Sequence, residues 1–135
     1  MIQNNNYILL IMIMSTRNFI SLGIMTGTSL DGVDLSIIKS DGNRKVVFLG
    51  GTTFSFSPSL RKSLYSILGS TKRDSVIDRI EYKYTDFIIQ KMIKFLNQRV
   101  EKIDIIGFHG QTITHNPELD FTWQLGNAKR ISNFF

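Results

Sequence analysis

The chain contains no cysteine. Disulfide frameworks, thiolate metal sites and cysteine nucleophiles are therefore excluded, and the composition is compatible with a reducing cytoplasm. Runs of like charge are also missing. The formal charge of +5 is spread over isolated pairs such as Arg61-Lys62, Lys72-Arg73 and Lys129-Arg130. That pattern reads as a solvated surface, and it lacks the clustered cationic face expected of a nucleic-acid binder. No apolar stretch approaches the roughly 18 residues a membrane helix needs. The strongest one, Tyr7 to Met14, is too short. A secretory leader fits poorly, because Met-Ile-Gln-Asn-Asn-Asn has no positive side chain and Thr16-Arg17-Asn18 is a poor cleavage context. Residues 1–18 are expected to be an irregular or over-long start, with Met14 the working initiator. There is no internal repeat and no low-complexity segment.

What is present is an ordinary globular balance. Apolar residues make up 42% and charged residues 20% of 135 residues, about one domain. Phe19 to Met25 is a short apolar run ending in a glycine-rich turn, which predicts a buried strand. Val33 to Ser40 reads as its hairpin partner, and Asp41-Gly42-Asn43 is a turn signal. Val46 to Phe56 predicts a third strand, with Gly50-Gly51 marking a bulge. Ser57-Pro58 is a helix start running to about Leu68, where Gly69 is a natural stop. Ser75 and Asp78 predict a capping box for a second helix. There Ile77, Ile80, Tyr84, Ile88, Met92 and Phe95 recur at three- and four-residue steps and line one face. Ile103 to Phe108 predicts a fourth strand and Phe121 to Leu125 a fifth. Pattern alone gives α/β or α+β.

Three segments carry chemistry. The first, Met25-Thr-Gly-Thr-Ser-Leu-Asp-Gly-Val-Asp34, joins the first two strands. A turn there can present backbone N–H groups to phosphate oxygens. Gly27 and Gly32 allow close approach and positive φ. Thr28 and Ser29 add hydroxyls, and Asp31 can accept from a sugar or from water held by Mg²⁺. A tight hairpin with its own Asx and Ser turn bonds is the competing reading. It is not a Walker loop: no Gly-Lys-Ser/Thr occurs, and a strand follows instead of a helix.

The second segment, Gly107-Phe-His-Gly-Gln-Thr-Ile-Thr-His-Asn-Pro117, leaves a buried strand at its carboxyl end, where α/β folds place ligands. His109 and Gln111 suit hydroxyls, amides and carboxylates; the alternative is that His109 caps the strand end and bonds backbone. A metal site on His109 and His115 lacks a third ligand nearby. The third segment is Thr122-Trp-Gln-Leu-Gly-Asn-Ala128, in which Trp123 reads as packing and Gly126-Asn127 as a turn.

In this order and spacing the three segments resemble the anhydro-N-acetylmuramic acid kinase family. That family carries a (Ser/Thr)-Gly-Thr-Ser-x-Asp-Gly-x-Asp loop, a His-Gly-Gln-Thr segment and a Gln-x-Gly-Asp turn. The resemblance spans Leu22 to Ala128. It implies the incomplete first domain of an actin-like (ribonuclease-H-like) ATPase, α/β in class, over residues 19–135. By the same resemblance Gly27, Thr28, Ser29, Leu30, Asp31, Gly32, Val33 and Asp34 form the ATP-binding loop, and His109, Gln111 and Thr112 lie near the sugar. The cofactor is ATP with Mg²⁺, reached through water by Asp31, with no direct metal ligand. The implied enzyme is a cytoplasmic homodimer, with no nucleic-acid or membrane partner. It phosphorylates 1,6-anhydro-N-acetylmuramic acid and opens its anhydro ring in cell-wall recycling.

Two departures stand out. The family's Asp-Thr-Gly-Pro-Gly-Asn segment, which carries the base for the attacking water, is absent, so no catalytic residue is assigned in this chain. Asn127 stands where the family usually has Asp, which removes a charge and is expected to weaken a polar contact or turn cap. Thr26 replaces the common Ser and keeps the hydroxyl. The chain is expected to be a truncated, inactive N-terminal portion; a non-catalytic nucleotide-binding remnant or pseudogene product would share every residue.

Overall fold

A computed structural model describes residues 17–134. The apolar run at 7–14 and nearly all of the expected extension over residues 1–18 lie outside them. The first two strands form as predicted: β1 spans Phe19–Thr26 and β2 spans Gly32–Ser40, paired antiparallel. β3, Val46–Ser55, adds to the far side of β2. Its register slips where Ile37 faces Gly50 but Ile38 faces Phe48, so Leu49 is the extra residue of the bulge expected at the glycine pair. Between β2 and β3 the Asp41 carboxylate accepts from the backbone N–H groups of Asn43, Arg44 and Lys45, each at 3.0 Å. These bonds favour the charged form and hold the Asp41 carboxyl below its usual range.

Helix α1 spans Pro58–Tyr65, with Ser57 accepting from the Leu60 N–H and Pro58 in the first turn. It stops earlier than expected. Ser66 to Leu68 continue as a looser turn, and Gly69, at φ +79°, sends its N–H to Ile113 O at 2.7 Å. Helix α2 spans Ser75–Leu96. Its cap is Asp74, not the predicted Ser75: the Asp74 carboxylate accepts from Val76 N and Ile77 N, and Ser75 is already helical. A carboxylate there also faces the positive end of the helix dipole. The six apolar residues of the predicted stripe are all buried.

β4, Ile105–Phe108, is shorter than predicted and pairs parallel with β1. The four-stranded sheet therefore runs β3-β2-β1-β4, with α1 and α2 forming the crossover that returns the chain in parallel. This is a mixed α/β architecture. A second, two-stranded sheet was not foreseen in full. β5, Gln111–Asn116, pairs with β6, Phe121–Leu125, across a short 3₁₀ turn at Pro117–Leu119. A short helix, α3, spans Ala128–Ser132.

One face of the larger sheet builds the core. Leu22, Ile24, Val33, Leu35 and Ile37 pack in one cluster with the α2 stripe, and Leu125 and Ile131 join it. Side chains alternate across a strand, so the other face carries Gly23, Met25, Asp34, Ser36 and Gly107. No element among the described residues covers that face: Met25 is 55% and Phe48 67% exposed. No helix among the described residues is long and apolar enough to cross a membrane.

Candidate functional site

The parallel pairing of β1 with β4 decides the geometry. Two parallel neighbours end at the same edge, so the turn after β1 and the segment after β4 are brought together from distant parts of the chain. The His109 N–H extends the pairing by donating to Ile24 O at 3.2 Å.

In the turn after β1, Gly27, Thr28 and Ser29 are exposed and Leu30 is buried. The Leu30 N–H closes it onto Gly27 O at 3.3 Å. The expectation that Gly27 and Gly32 supply positive φ is corrected. The left-handed residue is Leu30, at φ 57°, and its side chain anchors in the core at 1% exposure. Burial thus offsets an unfavourable backbone. Gly32 is required for space: a Cβ there would lie 2.3 Å from Phe54 O. Gly27 has nothing nearer than Ser29 Oγ at 3.3 Å.

Arg61, on α1, was legible in the sequence only as part of a charged pair. Its guanidinium donates to Ser29 O at 3.2 Å and pairs with the Asp31 carboxylate at 3.0 Å. Both side chains are more than half exposed, so the pair is weak and exchangeable. A groove of about 460 Å³ beside Arg61 includes Phe56, Lys62 and Tyr65. One cation, Arg61, therefore sits against the exposed turn, and the Asp31 carboxylate is reachable from solvent. That donor set suits an anion, and Asp31 suits a hydrated divalent cation. Val33 is wholly buried and packs in the core cluster. Asp34 faces the uncovered sheet surface and accepts from Thr53 Oγ1 at 2.5 Å.

His109 lines a groove of about 530 Å³ on that same surface, together with Asp34, Ser36 and Met25. Its ring is held at both nitrogens. Nδ1 lies 3.0 Å from Gly110 O and Nε2 lies 2.9 Å from Gln124 Nε2. A carbonyl can only accept and an amide NH₂ can only donate, so the proton sits on Nδ1. Bonding to backbone and offering an edge to the groove thus coexist. Among the described residues no cluster of three acidic or histidine side chains could hold a metal.

Gln111 behaves differently from its neighbour. It is 0% exposed, and Nε2 donates to Gly27 O at 3.1 Å and Thr112 O at 3.3 Å. The expected open contact with a ligand is not available to it in this arrangement; it reaches back to the turn after β1. Thr112 is half-buried at the start of β5. Gly110 turns the chain at φ 76°, and a Cβ there would meet Leu125 O at 2.7 Å.

Two residues that sequence reading left as packing or as a mild exchange join the site from beneath. Thr26 Oγ1 donates to Gly110 O at 2.9 Å, leaving its lone pairs for the Tyr84 hydroxyl at 3.1 Å. Burial pushes the Tyr84 hydroxyl up to about 12, against the opposite pull of Thr26, so it stays protonated and donates. Only the helical period marked Tyr84, and that marks a core position. Asn127 is not a plain turn residue but the cap of α3. Its Oδ1 accepts from Arg130 N at 2.9 Å and its N–H donates to Thr85 Oγ1 at 3.1 Å. Asn caps about as well as Asp, so the expected weakening of the cap does not arise.

Comparison with known proteins gives a consistent picture. A family model described as anhydro-N-acetylmuramic acid kinase matches residues 19–134. Curated relatives of that name include one from Bradyrhizobium diazoefficiens, 37% identical over 122 residues, 83% of this chain and 33% of the relative. One from Zymomonas mobilis is 34% identical, covering 84% of this chain and 34% of the relative. One from Xanthomonas campestris is 36% identical, covering 87% and 33%. The chain spans about a third of the length of these curated relatives.

Proposed function

The chain belongs to the anhydro-N-acetylmuramic acid kinase family, and from that premise we propose that it carries the phosphate-facing part of an ATP-dependent sugar kinase with an actin-like (ribonuclease-H-like) fold. The reaction is transfer of the γ-phosphoryl group of ATP to O6 of 1,6-anhydro-N-acetylmuramic acid. Water adds at the anomeric carbon, the bond from that carbon to O6 breaks, and O6 takes the phosphoryl group. The product is N-acetylmuramic acid 6-phosphate, made for cell-wall sugar recycling in the bacterial cytoplasm by a homodimer.

The observation that carries this reading is the shared edge. The exposed Gly27–Ser29 turn and His109 leave parallel neighbouring strands at the same end. Phosphoryl transfer is largely positioning and charge neutralisation. The turn amides and the hydroxyls of Thr28 and Ser29 receive the phosphates, with Arg61 supplying positive charge alongside. Mg²⁺ carried in with the nucleotide would supply further neutralisation, and Asp31 is the residue that would hold it through water. His109 and Thr112 face the sugar hydroxyls. The attacking water must lose a proton to a base, and the family's base segment is absent from this sequence.

Titration with Mg²⁺ and a non-hydrolysable ATP analogue, followed by amide chemical shifts, tests the reading. The expected result is shifts centred on Gly27 to Asp31. Shifts elsewhere, or no binding, would sink the phosphate role of the turn.

A further inference from the structure

Gln111 is the most unusual polar side chain in the molecule. It is completely buried, yet Oε1 has no hydrogen-bond partner among the described residues. Swapping the amide ends does not help. It would turn an oxygen toward two carbonyls, Gly27 O and Thr112 O, which can only accept. The orientation is set by the donors, and the orphaned oxygen is the cost. A buried acceptor left unmade is unfavourable, so the bonds made by Nε2 must hold something of value.

What they hold is the Gly27 carbonyl. It accepts from the Leu30 N–H at 3.3 Å and from Gln111 Nε2 at 3.1 Å, which occupies both of its lone pairs. The peptide that carries Gly27 O also carries the Thr28 N–H. In a trans peptide these two groups point in opposite directions, and the chain has no cis bond among the described residues. Fixing Gly27 O inward therefore fixes the Thr28 N–H outward, at the exposed tip of the turn. A second bridge braces the same joint: Thr26 Oγ1 donates to Gly110 O and receives the Tyr84 hydroxyl.

We infer that Gln111 is a positioning residue for the phosphate turn, aiming the Thr28 N–H at the anion, and not a contact for the sugar. This rests on the phosphate role proposed above for that turn. It makes the segment after β4 two-sided: His109 faces outward to the groove, while Gln111 faces inward and shapes the neighbouring loop.

The test compares the unsubstituted chain with Gln111→Met, which keeps length and burial but removes the donor and the orphaned oxygen together. In the unsubstituted chain the Gln111 side-chain amide protons should exchange slowly and show contacts to Gly27. In Gln111→Met the Leu30 amide should exchange roughly fivefold faster, as expected for loss of one ordinary hydrogen bond to its shared acceptor. Affinity for the Mg²⁺ complex of a non-hydrolysable ATP analogue should fall by about the same factor, while affinity for 1,6-anhydro-N-acetylmuramic acid is unchanged. Loss of sugar affinity with nucleotide affinity intact would overturn the assignment. So would fast-exchanging Gln111 amide protons in the unsubstituted chain, a result that needs no variant. If the unsubstituted chain binds no nucleotide, the phosphate reading fails, and the Leu30 exchange rate still decides whether Gln111 shapes the turn.

Discussion

Replacing the two glycines of the turn by alanine should have opposite effects on stability. At Gly32, paired with Ser55, an added Cβ would lie 2.3 Å from Phe54 O and 2.9 Å from both Phe54 C and Ser55 Cα. All three are backbone atoms, so no side-chain rotation relieves the clash. β3 must move away from β2 at its last residues, where the Phe56 N–H also bonds Asp31 O at 3.0 Å. Overpacking of this kind costs about 1–3 kcal/mol, and a backbone obstacle belongs at the upper end. At Gly27 the nearest atom is Ser29 Oγ, 3.3 Å away at the end of a side chain that can rotate, and φ is not in the left-handed region. There alanine mainly restricts the unfolded chain and should stabilise by about 0.4–1 kcal/mol. The two variants should differ by about 3 kcal/mol. For a domain of this size that corresponds to roughly 10 °C in melting temperature. Thermal and urea unfolding followed by circular dichroism measure both. Should Gly32→Ala melt with the unsubstituted chain, or Gly27→Ala prove the less stable, the close approach of β3 would not be the reason for a glycine at position 32.

Two further outcomes follow from the same geometry. Burial pushes the Tyr84 hydroxyl up to about 12 in the folded state, against an ordinary 10.0 in the unfolded chain. The folded state thus keeps a proton that the unfolded state loses, and stability should fall between pH 10 and pH 12 by about 2–3 kcal/mol. Tyr84→Phe should cost about 1 kcal/mol near neutrality through the lost bond to Thr26 and should flatten that alkaline decline. Urea midpoints at stepped pH read the difference, and equal slopes for both proteins would contradict it. Leu30→Gly relieves a left-handed leucine, worth about 1–2 kcal/mol, but empties a position that is 1% exposed. Large-to-small changes in a core cost about 2–5 kcal/mol, so a net loss is expected in equilibrium unfolding; a more stable variant would show that the backbone strain dominates.

Local signals predicted local structure well. The glycine-rich break between two apolar runs gave the β1–β2 hairpin, Ser57-Pro58 gave the start of α1, and the spacing from Ile77 to Phe95 gave the buried face of α2. Near misses had nearby rivals. Asp74 competes with Ser75 for the same cap, and a carboxylate accepts two N–H groups where the sequence offered a hydroxyl one residue later. β5 carries no strand signal of its own, because its polar alternation, Gln-Thr-Ile-Thr-His-Asn, becomes a strand only when β6 pairs with it.

The sequence by itself determined the secondary elements with strong periodicity or capping, and the turn whose residues tie the chain to its family, because those depend on neighbours a few positions away. The tertiary structure alone decided which glycine is needed for space, why a leucine takes the left-handed position, and that Gln111 turns inward. Each depends on atoms outside the local segment: Phe54 against Gly32, the core cluster that takes in Leu30, and Gly27 against Gln111 across 84 residues. The last of these exists only once β4 has returned beside β1, and residue type does not encode which distant backbone will arrive there.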